Sequence, residues 1–175
     1  MERSSDMGLF DRFKKKEEIL PEAFDKADTD IVALADGELI DVTTVPDAVF
    51  AEKMMGDSIA FRYNADKVIL CSPANGTLGV LFPTGHAFGV TMNNGVELLV
   101  HCGIDTVSAN GDGFRILKKK QGDKVKAGDP IVEVDIKKLS QKYDMSTMLI
   151  VTNANDQSII FEEPQKVVRG QKVIK

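Results

Sequence analysis

Tryptophan is absent from this sequence, and histidine and cysteine occur only twice each. Cys71 and Cys102 lack metal-ligand spacing, and two cysteines are too few for a disulfide scaffold. As free thiols they fit a reducing cytosol. No apolar run reaches the roughly 20 residues that a membrane-spanning helix needs, and the N-terminus lacks the hydrophobic stretch of a secretory signal. A cytoplasmic protein is therefore expected. Positive charge is also short: 22 Lys and Arg against 27 Asp and Glu leave a net charge of −5. Sequence-independent nucleic-acid binding calls for clustered basic residues, so no nucleic-acid partner is expected; basic protein partners suit the balance better. What is present, 43% hydrophobic and 28% charged residues over 175 positions, describes one soluble domain with a sizeable core.

Along the chain, residues 1–30 read as a flexible tail and linker, followed by one domain over 31–175. Leu9, Phe10 and Phe13 fall at helical spacing, with Arg12 and Lys14 to Lys16 around them. A short basic amphipathic helix of this kind can lie on an anionic membrane surface, although composition alone favours a solvated tail. Glu17 to Asp30 reads as a linker. From Ile31 onward, short β-branched runs alternate with turn signals. Strands are expected at 31–35, 38–42, 49–54, 59–63, 68–71, 77–82, 86–92 and 96–101, then at 148–152, 159–161 and 166–169. Asp36-Gly37, Asn75-Gly76 and Asn94-Gly95 are strong turn dipeptides between them. In the domain only 137–143 suggests a helix. The fold class is thus all-β, an antiparallel β-sandwich or barrel-like domain with short helical segments. Gly122 to Asp135 carries a tight β-turn pattern also common in biotinyl and lipoyl carriers. Those need a modifiable lysine, as in Met-Lys-Met; the tripeptide is missing, so the pattern is read as structural.

The two histidines lie 15 positions apart. In the strand ending at His101, Val96, Leu98 and Val100 point to one face, while Glu97, Leu99 and His101 point to the other. Gly103 just beyond leaves room for a close approach. Upstream, Phe82, Thr84, His86 and Phe88 share one parity. A hairpin through Asn93, Asn94 and Gly95 would bring His86 and His101 to one face, with Phe82 and Leu99 flanking the pair and Thr84 beside them. A lone histidine in a β-protein is usually a satisfied structural residue; a pair on an apolar face points to function. Acyl transfer by a serine elbow is disfavoured, since Gly-x-Ser-x-Gly does not occur. Neither HxH nor HExxH is present. Asp105 could complete a zinc site with His86 and His101, which keeps a zinc-peptidase-like β-domain open beside a non-catalytic interaction module. Covalent catalysis by histidine itself is the chemistry that remains.

The run Gly95 to Val107 (GVELLVHCGIDTV) closely resembles the phosphorylation-site signature of the glucose-type enzyme IIA family. Thr84 to Phe88 resembles that family's second-histidine motif. Val45 to Lys53 with Gly56-Asp57, Ser72 to Thr77, and Gly122 to Asp135 also match, in order, over about 31–152. The resemblance implies a β-sandwich that carries phosphate and needs no cofactor. It would receive phosphate from the histidine-containing phosphocarrier protein and pass it to a cysteine of a sugar-transporter IIB domain. It further implies His101 as nucleophile through Nε2, His86 beside it, and Thr84 fixing the His86 tautomer. Phe50, Phe82, Leu99 and Val107 would form an apolar docking ring, with Asp47 and Asp105 near it. Two departures stand out: Cys102 replaces a larger apolar residue, and Gly85 replaces a frequent Asn. The first is expected to loosen packing beside the nucleophile or to expose a thiol. The Met7 to Phe13 stretch is similar to the membrane-touching tail of some free-standing members, and suggests Met7 as a natural start.

Overall fold

The computed structural model describes residues 18–175; the expected tail helix, with Leu9, Phe10, Arg12, Phe13 and Lys14 to Lys16, lies outside the described residues. Among the described residues, eleven strands form two sheets in which every pairing is antiparallel. They are β1 (Gly37–Ile40), β2 (Asp57–Arg62), β3 (Lys67–Cys71), β4 (Gly76–Leu81), β5 (Ala87–Met92), β6 (Glu97–Cys102), β7 (Phe114–Ile116), β8 (Lys124–Val125), β9 (Pro130–Asp135), β10 (Thr147–Asn153) and β11 (Gln165–Val167). The larger sheet runs β11-β1-β2-β10-β6-β5-β4-β8, and the smaller runs β3-β9-β7. Among the described residues, no helix is long and apolar enough to cross a membrane.

Strand alternation divides the core in two. Ile59 and Phe61 of β2, Leu149 and Val151 of β10, and Leu98, Val100 and Cys102 of β6 point into the main core between the sheets. Their neighbours of opposite parity, Ala60, Met148 and Ile150, form a second, smaller core on the outer face with Ile40, Val42, Val45, Phe50 and Ile104. The centre of the large sheet is therefore apolar on both faces. A one-residue slip would exchange the two sets, and with them the outward face on which His101 stands.

The sequence expectations hold for most strands and fail where local chemistry overrides β-propensity. Residues 49–54, expected as a strand, instead enter a short helix, α1 (Ala48–Ala51). The Asp47 carboxylate accepts a hydrogen bond from the Val49 N–H at 2.9 Å and caps the turn. Residues 31–35 are almost wholly buried but form only a bridge at Val32 to Lys172. Their backbone groups divide between Pro73, Gln171, Gly170, Cys71 and Val173. Residues 159–161 likewise contribute one bridge, Phe161 to Ile174. The helix expected at 137–143 is the single turn α2 (Ile136–Leu139), with Asp135 accepting from the Lys138 N–H at 3.0 Å. The sequence reading missed β7, β8 and β9; the apolar run 130–135, hidden behind the turn pattern, forms the centre of the small sheet.

Residues 18–30, read as linker, run along the domain and are fastened to it. The Arg115 guanidinium binds the Glu18 carboxylate, with Nη1 to Oε2 at 3.0 Å. Arg169 stacks over the Phe24 ring at 4.4 Å. The Phe24 ring fits only because positions 128 and 170 are glycine; a Cβ on Gly128 would approach it to 2.6 Å. Asp28 accepts from Asn93 at 2.9 Å and Asn75 at 3.1 Å.

Leu149 is fully buried and sits opposite Ile59 and Val100 on the two neighbouring strands. Leu149→Ala is expected to cost about 2–5 kcal/mol of stability, measured as a lower urea midpoint with an unchanged slope.

Candidate active site

His101 is the next-to-last residue of β6, and its half-buried ring stands on the outward face with Leu99, as strand alternation requires. Ala87 lies directly opposite it on β5. Phe88 pairs with Val100 and is buried in the main core, so the shared parity of His86 and Phe88 does not explain the histidine pair. His86 lies outside the strand, in the turn joining β4 to β5. There Phe82 accepts from the Gly85 N–H at 2.8 Å and donates its own N–H to the Ala87 carbonyl at 3.1 Å. Gly85 has φ +74°. Strand parity therefore ends before His86, and the turn brings its ring back over His101. The two ring centres are 5.2 Å apart, nearly edge to face at 80°. A left-handed residue is needed in that turn, and Gly and Asn are the residues that tolerate this conformation.

Each imidazole is tied at Nδ1. His101 Nδ1 lies 2.9 Å from the Gly103 carbonyl oxygen. A carbonyl can only accept, so Nδ1 carries the hydrogen and, in the neutral ring, Nε2 keeps its lone pair. His86 Nδ1 lies 2.5 Å from Thr84 Oγ1, and a hydroxyl can serve either role. Phe50 packs on His101 with ring centres at 5.0 Å, and Phe82 packs on His86 at 5.3 Å. Phe50 also belongs to the outer core, so helix α1 ties the His101 ring to the fold.

Burial holds both histidines below the usual histidine pKa, because a charged ring would lose its hydration. For His101 the Gly103 carbonyl, Asp47 and Asp105 act in the opposite direction without overcoming burial. For His86 the neighbouring His101 adds to the depression. Asp105 is exposed in a left-handed conformation at φ 59°, and Asp47 caps α1. Among the described residues no three His, Cys, Asp or Glu side chains converge as a metal site.

The structure thus brings together His101, His86, Thr84, Phe50 and Phe82, with Leu99 beside them on the sheet face and both carboxylates close enough to act on His101. Val107 projects from the single-turn 3-10 helix Thr106–Ala109 and is 54% exposed, while Phe82 is 40% exposed. Val49, Met54, Met55 and Val80 are also exposed large apolar residues. Sequence reading missed Val49, Met54 and Val80 because it treated 49–54 and 77–82 as ordinary strands, and Met55 lay just beyond the first of them. Cys102 faces the main core, 1% exposed, and burial pushes its thiol up to about 12. It is therefore no exposed thiol beside His101.

An antiparallel β-sandwich carrying two facing imidazoles, one with a free Nε2, on a partly apolar surface is the architecture of an enzyme IIA-type phosphoryl carrier. The sequence bears this out. Residues 29–157 match the family described as phosphoenolpyruvate-dependent sugar phosphotransferase system, EIIA 1. The chain is 37% identical over 170 residues to the glucose-specific EIIA component of Haemophilus influenzae, covering 96% of this chain and 97% of that protein. It is 40% identical over 139 residues to the glucose-specific EIICBA component of Staphylococcus carnosus, covering 79% of this chain and 20% of that one. Among solved structures it is similar to the glucose permease IIA from Mycoplasma capricolum, with 36% identity, a TM-score of 0.76, and coverage of 83% and 93% of the two chains. The chain belongs to the EIIA 1 family and is a phosphotransferase component of that sugar transport system. The zinc-peptidase and interaction-module readings give way to this assignment.

The depressed pKa values imply that the neutral form of both rings already predominates at pH 6.5. In an NMR titration both are expected to protonate below the ordinary value of about 6.5. Because the unfolded chain takes up those protons first, the histidines cost no stability above pH 6.5 and progressively more as pH falls through it.

Proposed function

We propose that His101 accepts a phosphoryl group from the histidine-containing phosphocarrier protein and passes it to a cysteine of a IIB sugar-transporter domain of the glucose type. The observation that carries this reading is the hydrogen bond from His101 Nδ1 to the Gly103 carbonyl, 2.9 Å long, on a ring whose centre lies 5.2 Å from that of His86. In loading, the Nε2 lone pair attacks phosphorus; a new N–P bond forms as the N–P bond to the donor imidazole breaks, its electron pair returning to the donor. In discharge, a IIB thiolate attacks, an S–P bond forms and the His101 N–P bond breaks. Positioning and charge stabilisation supply most of the catalysis in such transfers. Thr84 donates to His86 Nδ1, which leaves His86 Nε2–H to hydrogen-bond the phosphoryl oxygens as charge develops. Zinc on the two histidines is a second reading, for which no third ligand converges among the described residues.

Phe82, Leu99 and Val107, backed by the buried Phe50, form the apolar surface on which partners dock, excluding water from the labile P–N bond. Asp47 and Asp105 steer basic partners to it. The reaction belongs in the cytoplasm, with Leu9, Phe10 and Phe13 holding the tail on anionic lipid. The glucose-specific names of the Haemophilus and Mycoplasma relatives support the sugar class. The EIICBA relative, whose chain is five times the matched length, supports a IIB partner.

His101→Ala is expected to abolish phosphate uptake from phosphoenolpyruvate, enzyme I and the phosphocarrier, read by intact mass, while circular dichroism stays native. Undiminished labelling would overturn the assignment. His86→Gln is expected to load but to discharge to IIB about 100-fold to 1000-fold more slowly, the cost of losing one transition-state donor. Rapid-quench time courses of the two steps separate the roles: equal slowing would make His86 a structural support. For the tail, a peptide of residues 7–16 is expected to become helical only with anionic vesicles; continued disorder there would reduce it to a linker.

A further inference from the structure

The geometry points to Thr106 as a positioning residue for His101, one whose hydroxyl holds the backbone that presents the Gly103 carbonyl to the imidazole. This rests on the reading of His101 as phosphate acceptor. Two consecutive peptide groups lie between β6 and the following 3-10 turn, and each is held at both ends. In the Cys102–Gly103 peptide, the Cys102 carbonyl accepts from Thr106 Oγ1 at 2.5 Å, and the Gly103 N–H donates to the Ser146 carbonyl at 3.0 Å. In the Gly103–Ile104 peptide, the Gly103 carbonyl takes the His101 Nδ1 hydrogen at 2.9 Å, and the Ile104 N–H donates to the Asp144 carbonyl at 2.8 Å. Apart from His101 itself, Thr106 is the one side chain in this set; the other two anchors are backbone carbonyls of the segment leading into β10.

The rest of Thr106 is shaped to the same purpose. The residue is fully buried, so its hydroxyl needs a partner and has one in the Cys102 carbonyl. Its methyl Cγ2 fills the place where a Cβ on residue 103 would overlap it, and Met145 Sδ lies 3.0 Å from that same point. Gly103 sits in the left-handed region at φ +83°, so the backbone turns there at no steric cost only because the residue is glycine. Free imidazole favours hydrogen on Nε2, the tautomer that leaves Nε2 no lone pair with which to attack phosphorus. The protein reverses this preference through one carbonyl, whose direction is set by the two peptide planes. With the Thr106 hydroxyl removed, the first plane loses its carbonyl anchor. The Gly103 carbonyl in the next plane is then held less firmly towards the ring, by the Ile104 N–H bond to Asp144 and the Gly103 N–H bond to Ser146.

A residue that only filled space would stabilise the fold without altering the proton on a ring five positions away, and this separates the two roles. The test uses the full chain with Thr106→Ser, Thr106→Ala and Thr106→Val, each checked by thermal melting. Nitrogen-15 shifts of the histidine rings at pH 7.5 read the tautomer, and rapid-quench loading from the phosphocarrier reads the rate. Thr106→Ser is expected to keep hydrogen on His101 Nδ1 and to load at close to the native rate. Thr106→Ala and Thr106→Val are expected to move hydrogen to Nε2 and to load about 10-fold to 100-fold more slowly, as small misplacements of reacting groups do. Ser and Ala are both smaller than Thr, so that pair decides the matter if the Val variant fails to fold. An Ala variant with the tautomer and rate of the Ser variant would overturn the proposal. A shifted tautomer with unchanged loading would instead overturn His101 as acceptor and leave the positioning intact.

Discussion

A backbone carbonyl accepts hydrogen bonds and never donates them, and this asymmetry is what the Gly103 oxygen imposes on His101. With Nδ1 obliged to carry hydrogen, the neutral ring has its lone pair on Nε2. The constraint reaches outward from there. The carbonyl can face the ring only if residue 103 takes a left-handed conformation. It stays there only if Thr106, Ser146 and Asp144 hold the adjoining peptides. Ser146 and Asp144 in turn are placed by β10, which pairs with β6 through Met148 opposite His101. The chemistry of one nitrogen is thereby tied to the register of the central strands.

The double-sided burial of those strands serves the same end. An imidazole on an ordinary solvent-facing sheet surface would be free to rotate and well hydrated. Here the outer core of Ile40, Val42, Val45, Ala60, Met148 and Ile150 supports Phe50, and Phe50 packs against the ring. The same packing lowers the pKa of both histidines, which favours their unprotonated form at neutral pH. Rigidity and the right protonation state come from one physical cause, the exclusion of water around the rings. Asp47 and Asp105 work against that depression without reversing it, and both carboxylates stay at the rim.

The two departures from the family pattern have structural explanations. Gly85 replaces a residue that shares its tolerance for positive φ, so the turn carrying His86 is preserved. Cys102 turns away from the site, because it follows His101 on a strand and therefore faces the core. Its neighbours there, among them Tyr63 and Met145, belong to the same apolar cluster.

By itself, the sequence determined the all-β class, most strand positions and the faces of β6, because alternation of apolar residues is a local property with a fixed period. It also singled out His101 and His86, through their scarcity and through the family signature around His101. Three things were decided only in three dimensions. Asp47 turned 48–51 into a helix, since a cap hydrogen bond outweighs weak β-propensity over four residues. The pairing of His86 with His101 came from a turn at Gly85, where strand parity no longer applies. The free nitrogen of His101 came from a carbonyl two residues on, held by Thr106 and by a segment more than 40 positions away. A sequence pattern records which side chains share a face; it holds no record of where a backbone carbonyl points, because that depends on hydrogen bonds between strands that meet only in the folded chain.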